Sequence, residues 1–400
     1  MPPLASALFY DTFFHRSLPD AAGLPLLFLT PPDPRLTLSV VVPVRNEAEQ
    51  LPKTLAALAA QVDDRGNALD PAAYEVLVLA NNCTDGTAAA ADGFARRHPT
   101  MALHVAEVTL PPPAAHVGAA RRLLMDAACR RLWSCGRERG VIASTDGDTR
   151  VAPDWVHQTR KEIAAGADAV GGRIRVERQR GEDRDARLYS LRDTAYQRGL
   201  ARLESRLDPD SADPWPRHHQ FFGGSLGITA EAYCRVGGLP PLPCLEDVAL
   251  EDALRRADAC IRHSPQVRVS TSARQEGRTP LGLSSQLREW GEMGRTGQAH
   301  WVQQPAAVAV RLLARRSLRR FWRTPPTAPA VLDALADALA VPAPLLHSGL
   351  ASPRQPFGAS WAEVLACHQE PDGVWARRWP LIPITEALPD LRRRLDRFRQ

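Results

Sequence analysis

The sequence predicts an α/β protein: a mainly parallel, mixed sheet with helices on both faces, followed by a helical extension. Three observations carry this. Short apolar runs alternate with helical spans through the first two thirds of the chain, the earliest runs end in polar loops rich in Asp, Asn and Gly, and beyond about Leu283 the pattern becomes helical. Strand and helix alternation of this kind calls for parallel strands joined by crossover helices.

Taken in order, residues 1 to 36 are Pro-rich, with Pro31, Pro32 and Pro34 close together, and read as an irregular lead-in. Leu38 to Val42 form a strand halted by Pro43, and Glu47 to Gln61 form a helix with Leu51, Leu55, Leu58 and Val62 on one face. Glu75 to Ala80 give a second buried strand closed by the polar loop Asn81 to Thr87, and an Ala-rich helix then runs to Arg97. A strand over Ala102 to Val108 leads through Pro111 to Pro113 into a helix over Gly118 to Leu132. The next strand begins at Val141 and stops abruptly at Ser144, Thr145, Asp146, Gly147 and Asp148. A helix (Val156 to Ala164), a strand (Asp168 to Val176), a charged solvated helix (Arg178 to Leu207) and a loop (Asp208 to His219) follow. FFGGSLGI (221 to 228), helices near Ala230 to Val236 and over Leu245 to Ala257, and a last strand, Gln266 to Thr271, complete the body. Helices over 283 to 293, 303 to 322, 331 to 340 and 389 to 398 form the extension, so the expected boundaries are 1 to 36, 37 to 280 and 281 to 400.

The chain has 400 residues, 44% hydrophobic and 24% charged, which suits a globular body with a large core. A net charge of +5 invites a nucleic-acid reading, but the cations are spread along the chain and nearly all are Arg, with Lys only at 53 and 161; no nucleic-acid partner is expected. The seven cysteines include no CxxC pair, so neither a disulfide framework nor a zinc cluster is indicated, and a reducing, cytoplasmic setting is expected. No window approaches the ~20 apolar residues of a spanning helix. The Arg315, Arg316, Arg319, Arg320 cluster beside Phe321 and Trp322 can rest on an anionic membrane, pack on the body or join a homo-oligomer through the C-terminal helices.

Asp146 and Asp148 flank Gly147 at the end of a buried strand, where ligands gather in open α/β sheets. Two carboxylates around a glycine suit a hard divalent cation, Mg²⁺ or Mn²⁺, with coordination places left for phosphate. Standing alone, the same pattern is also that of a solvated turn. Glu246 and Asp247 open a helix where a carboxylate can face a site, although acids favour a helix N-terminus whatever their chemistry.

VVPVRNE (41 to 47), ANNCTDGT (80 to 87), HVGAARRLLMDAA (116 to 128), TDGD (145 to 148), GGSLGI (223 to 228), GGLP (237 to 240), LEDVAL (245 to 250) and TSARQEGR (271 to 278), in this order, resemble the family-two glycosyltransferases of the GT-A fold over roughly residues 37 to 278. The resemblance implies an enzyme that moves a sugar from a nucleoside-diphosphate sugar, UDP- or GDP-linked, to a hydroxyl acceptor that the sequence does not identify. It assigns Pro43, Arg45 and Glu47 to the nucleotide, with helix capping as the alternative for Glu47, and places Asn81 and Asp85 at the base edge. Arg121 neutralises the diphosphate or positions Asp146; Asp146 and Asp148 hold the metal; Arg274 and Arg278 close over the diphosphate. Asp247 matches the catalytic aspartate, with Glu246 beside it, and Gly223, Gly224, Ser225 and Trp215 line the acceptor side. Inversion by a single displacement is expected. The alternatives are a retaining enzyme of the glucosylglycerate or mannosylglycerate synthase kind and a non-catalytic sugar- or nucleotide-binding module. A nucleotidyltransferase is disfavoured because VPVRNEAEQ lacks the glycines a triphosphate loop needs.

Overall fold

A computed structural model describes residues 27–177, 183–272, 282–324, 329–351 and 355–398. Backbone contacts divide the chain into two units. The first takes 1–179, 220–253 and 260–285, and the second takes 180–219, 254–259 and 286–400. The expected α/β class is present, a mixed sheet flanked by helices with helices following toward the C-terminus.

The first unit is built on an eight-stranded sheet among the described residues. In chain order its elements are β1 (Leu38–Val44), α1 (Leu51–Ala59), β2 (Tyr74–Asn81), α2 (Thr87–Arg97), β3 (Leu103–Val108), α3 (Val117–Ser134), β4 (Val141–Thr145), β5 (Thr149–Val151), α4 (Trp155–Ala164) and β6 (Ala169–Val176). The second unit's α5 (Arg184–Leu207) intervenes before β7 (Ser225–Thr229), α6 (Ala230–Arg235), α7 (Glu246–Arg256) and β8 (Ile261–Thr271). The strand order is β3-β2-β1-β4-β7-β6-β8-β5, with β3, β2, β1 and β4 mutually parallel and β7 antiparallel to both neighbours.

All seven residues of β1 are buried, as a parallel strand covered on both faces must be. Its alternation sends Leu38, Val40, Val42 and Val44 into one core with Leu51, Leu55 and Leu58 of α1, Phe94 of α2 and Trp155 of α4. The opposite face meets α3, whose Leu124, Met125, Ala128 and Leu132 are fully buried. Pro43 does not halt β1, which runs to Val44; pairing with β4 ends at Val41, so a residue without N–H is tolerated beyond it. β8 is longer than expected. Gly172 pairs with Ser264 and Arg173 with Arg268, so Pro265 to Val267 bulge from the ladder and the strand resumes.

In the second unit, α5 is not the solvated helix its charges suggest. Tyr196 and Leu203 are buried, and with Leu200 and Leu207 they form a stripe against Val302, Ala309, Leu312, Ile384, Ala387 and Leu391. That stripe groups 180–219 with the C-terminal helices rather than with the expected 37–280 body. The remaining helices are α8 (Leu283–Thr296, beginning in the first unit), α9 (Pro305–Arg323), α10 (Ala330–Leu339), α11 (Ala343–Ala351), α12 (Phe357–His368), α13 (Val374–Arg378) and α14 (Ile384–Asp396), with a small β9 (Trp301–Val302) and β10 (Ile382–Pro383) pair. Part of the basic cluster on α9 is engaged internally: Arg315 pairs with Glu204 and Asp208, Arg319 pairs with Asp208, and Arg316 donates to the Leu207 carbonyl, while Arg320 is exposed. Among the described residues no helix is long and apolar enough to cross a membrane.

Candidate active site

Parallel pairing of β1 with β2 and β4 brings the loops after Val44, Asn81 and Thr145 to one edge of the first unit's sheet. Antiparallel β7 starts at that same edge, because Thr145 pairs with Ser225. The segment Gly223 to Gly224 is therefore delivered beside Asp146. It is pinned there by β4 hydroxyls: Ser144 donates to the Gly223 carbonyl (2.8 Å) and Thr145 to that of Gly224 (3.0 Å).

Arg121 is the hub. It lies one turn into α3, whose start is capped by the His116 imidazole accepting from the Ala119 N–H, and its side chain is 4% exposed. One end of its guanidinium donates to Glu246 and the other to Asp146 Oδ1 at 2.6 Å. Asp247 completes the group, its Oδ2 accepting from the Gly223 N–H at 2.7 Å and its Oδ1 from the Val248 N–H. Carboxylates a hundred residues apart in sequence thus converge at one edge. Glycine is required between them. A Cβ on Gly223 would stand 2.5 Å from the Arg121 guanidinium, and one on Gly224 would stand 2.9 Å from Asp146 Oδ2.

The two adjacent acids of α7 separate by environment. Glu246 is buried against Arg121, while Asp247 is half-exposed. Burial pushes the Glu246 carboxyl above its ordinary range, with Asp247 and Asp146 adding to the rise and Arg121 opposing it. Glu246, expected beside the catalytic aspartate, is thus bonded to Arg121, while Asp247 keeps the more exposed position. Leu245, immediately before, has φ of +58°, a strained geometry for leucine.

Asp146 and Asp148 lie either side of Gly147, where a Cβ would come within 2.5 Å of Val44 Cγ1; glycine lets this turn press onto the end of β1. Thr54 of α1 donates to the Gly147 carbonyl and fixes the turn from below. Among the described residues no three His, Cys, Asp or Glu side chains gather around one point. Two carboxylates, one offering an oxygen not taken by Arg121, fit a hard cation whose other ligands come from substrate phosphates rather than an all-protein cage.

The other expected residues distribute as follows. Pro43 lies inside β1, and Arg45 is exposed, reaching toward the Ala115 carbonyl at 3.4 Å. Glu47 is buried beside Gly147, and its carbonyl accepts from the N–H groups of Gln50, the N-cap of α1, and Leu51. Asn81 ends β2 with a buried amide oxygen that finds no donor among the described residues. Asp85 braces the loops: one oxygen takes the Thr87 N–H and hydroxyl and the other the Ala48 N–H. Burial would raise its carboxyl, but these bonds outweigh that and hold it low. Ser225 does not line an acceptor surface; it is fully buried in β7, and its hydroxyl accepts from Trp155 Nε1 at 3.1 Å. Trp215 belongs to the second unit, where Arg202 lies over its ring. Arg274 and Arg278 fall outside the described residues.

Sequence reasoning missed Asn46, Asn82 and Arg122. Both asparagines adopt positive φ and clamp loops, Asn46 to Thr84 and Asn82 to Leu110. Buried Arg122 donates to the Gly237 and Leu239 carbonyls and to Asp126, tying the segment before α7 to α3. The one signal available was Asp126, an acid four residues after Arg122 on the same helix face.

Residues 39–215 match the profile described as Glycosyl transferase family 2. A dolichyl-phosphate beta-glucosyltransferase of Drosophila melanogaster is 29% identical over 36% of this chain and 43% of its own. Glycosyltransferase AglE of Haloferax volcanii is 27% identical over 49% of this chain and 60% of its own. The chain thus spans about half the length of these curated relatives. The solved mannosyltransferase PcManGT of Pyrobaculum calidifontis, in complex with GDP-Man and Mn²⁺, aligns over 92% of this chain and 96% of its own at 19% identity and a TM-score of 0.42. The similarity to glycosyl transferase family 2 thus covers residues 39–215, somewhat under half of the chain.

Proposed function

We propose that the first unit transfers a sugar from a nucleoside-diphosphate donor to a hydroxyl acceptor by a single inverting displacement, with Asp247 as base. The observation that carries this is the pairing of unlike carboxylates at one edge. Half-exposed Asp247 is held by the Gly223 N–H, and Asp146 is linked to it through Arg121 and the glycine pair. The family match supports the reaction class.

In the reaction, the acceptor hydroxyl loses its proton to Asp247 as its oxygen bonds to the anomeric carbon. The bond from that carbon to the phosphate oxygen breaks, and the nucleoside diphosphate leaves with the electron pair. Two N–H bonds keep Asp247 oriented without consuming all its lone pairs. Asn81 offers its buried amide oxygen to a ring N–H of the base. Arg121 keeps Asp146 turned to the edge while Glu246 balances its charge. Asp146 and Asp148 would hold Mg²⁺ or Mn²⁺, which when bound neutralises charge growing on the leaving diphosphate.

The test is release of nucleoside diphosphate from UDP- and GDP-sugars, with product stereochemistry read by NMR. Asp247→Asn is expected to lower turnover by about 10²–10⁴-fold while donor affinity is kept. Undiminished turnover in that variant, or a product of retained configuration, refutes the assignment.

A further inference from the structure

The second unit holds a half-open cavity of about 340 Å³, whose polar lining is Arg217, Arg311, Arg315, Glu204, His219, Gln197 and Gln303, with Leu200, Leu312 and Trp361 among its apolar walls. That volume lies within the range of small-molecule sites, where placed polar groups orient a ligand against apolar walls. Nothing in the proposed sugar transfer uses it.

The three guanidiniums are not equivalent. Arg217 is committed to Glu204 (3.1 Å) and Asp213 (3.0 Å), and Arg315 to Glu204 (2.6 Å) and Asp208 (2.5 Å). Glu204 is paired with both arginines: burial would raise it, but they outweigh burial and hold its carboxyl at about 2. It stays ionised, and its charge is already shared between Arg217 and Arg315. Arg311 differs. It bonds the neutral amide oxygen of Gln303, lies 5.6 Å from the Trp375 ring centre, and has no carboxylate within ion-pairing distance among the described residues. Burial, with repulsion from Arg315, holds it below the ordinary arginine range. A half-buried cation kept from a counter-ion is costly unless an anion can arrive.

We propose that this cavity binds a small oxyanion carrying an apolar body, with Arg311 as its counter-ion and the apolar walls around Trp361 receiving the body. A guanidinium offers two parallel N–H bonds to either a carboxylate or a phosphoryl group, which sets the class. One uncompensated charge suits a monoanion.

The experiment is calorimetric titration of the full chain with benzoate and with phenyl phosphate, which separate the two oxyanion sources, and with benzamide as the neutral isostere. At least one anion is expected to bind saturably and at least about tenfold more tightly than benzamide, a difference of one charge-assisted bond. Arg311→Gln, which removes a charge already strained by Arg315, should fold and lose that preference. Leu200→Phe, filling the cavity without touching charge, should lose it as well, and it answers the question if Arg311→Gln does not fold. Equal affinity for anions and benzamide overturns the proposal, as does anion binding that survives in either folded variant.

Discussion

Removing the Arg121 guanidinium should separate its two partners by magnitude. In Arg121→Met the shape is roughly kept, while Glu246, whose side chain is 4% exposed, loses its counter-ion. Breaking a buried pair from one side costs about 3–5 kcal/mol because a desolvated charge is left behind. Asp146, whose side chain is 41% exposed, is screened by water and adds under about 1 kcal/mol. Adding Glu246→Gln removes the stranded charge, so the double variant should recover a coupling energy of about 2–3 kcal/mol. Urea midpoints at constant m-value read all three numbers. A loss below about 1 kcal/mol for Arg121→Met, or additive single costs, would refute the hub.

The glycine pair should be equally exacting: Gly223→Ala and Gly224→Ala are each expected to cost about 1–3 kcal/mol from overpacking, and both should cut turnover beyond what stability explains, measured against a Gly86→Ala control where a Cβ meets nothing. The pH dependence of stability should show two separate windows. Glu246 has its folded value raised above 4.5, so the stability it contributes is full below 4.5 and lost as pH rises through the raised value. Glu204 is depressed to about 2, so its contribution is present above 4.5 and lost as pH falls from there toward 2. Denaturation midpoints across pH should therefore flatten at the high end in Glu246→Gln and at the low end in Glu204→Gln; identical profiles in either variant contradict the corresponding pair. Arg122→Lys keeps charge but not the three-way fork, and should lower turnover more than it lowers stability if the segment before α7 is what positions Asp247.

Much of this site was legible before any coordinates, for a physical reason. A buried parallel strand must be apolar, so the sudden Asp146-Gly147-Asp148 after Val141 to Ala143 announces a strand end, and strand ends in such sheets share an edge. What stayed hidden depends on side-chain direction and long-range pairing. Ser225 reads as a small polar residue beside two glycines, yet the strand's alternation turns it inward to Trp155. Glu246 and Asp247 look alike in sequence, and only the position of Arg121 makes one a buried counter-ion and leaves the other open. The charges of α5 concealed its apolar stripe, since Tyr196, Leu200, Leu203 and Leu207 are few among many arginines. Asn46 and Asn82 are of the residue type that tolerates a left-handed backbone, and Asn82 stands where the resembled family often has glycine, but the tertiary clamps to Thr84 and Leu110 that hold them there are not written in the sequence.

The central claim is that Asp146 and Asp148 form, with the edge of the sheet, a seat for a cation-bound nucleoside diphosphate. Calorimetric titration with UDP and with GDP, each with and without Mn²⁺, tests it most directly. One nucleotide should bind in a Mn²⁺-dependent way in the native chain and lose most of that affinity in Asp148→Ala. No Mn²⁺-dependent binding of either nucleotide, or binding untouched by Asp148→Ala, would contradict it.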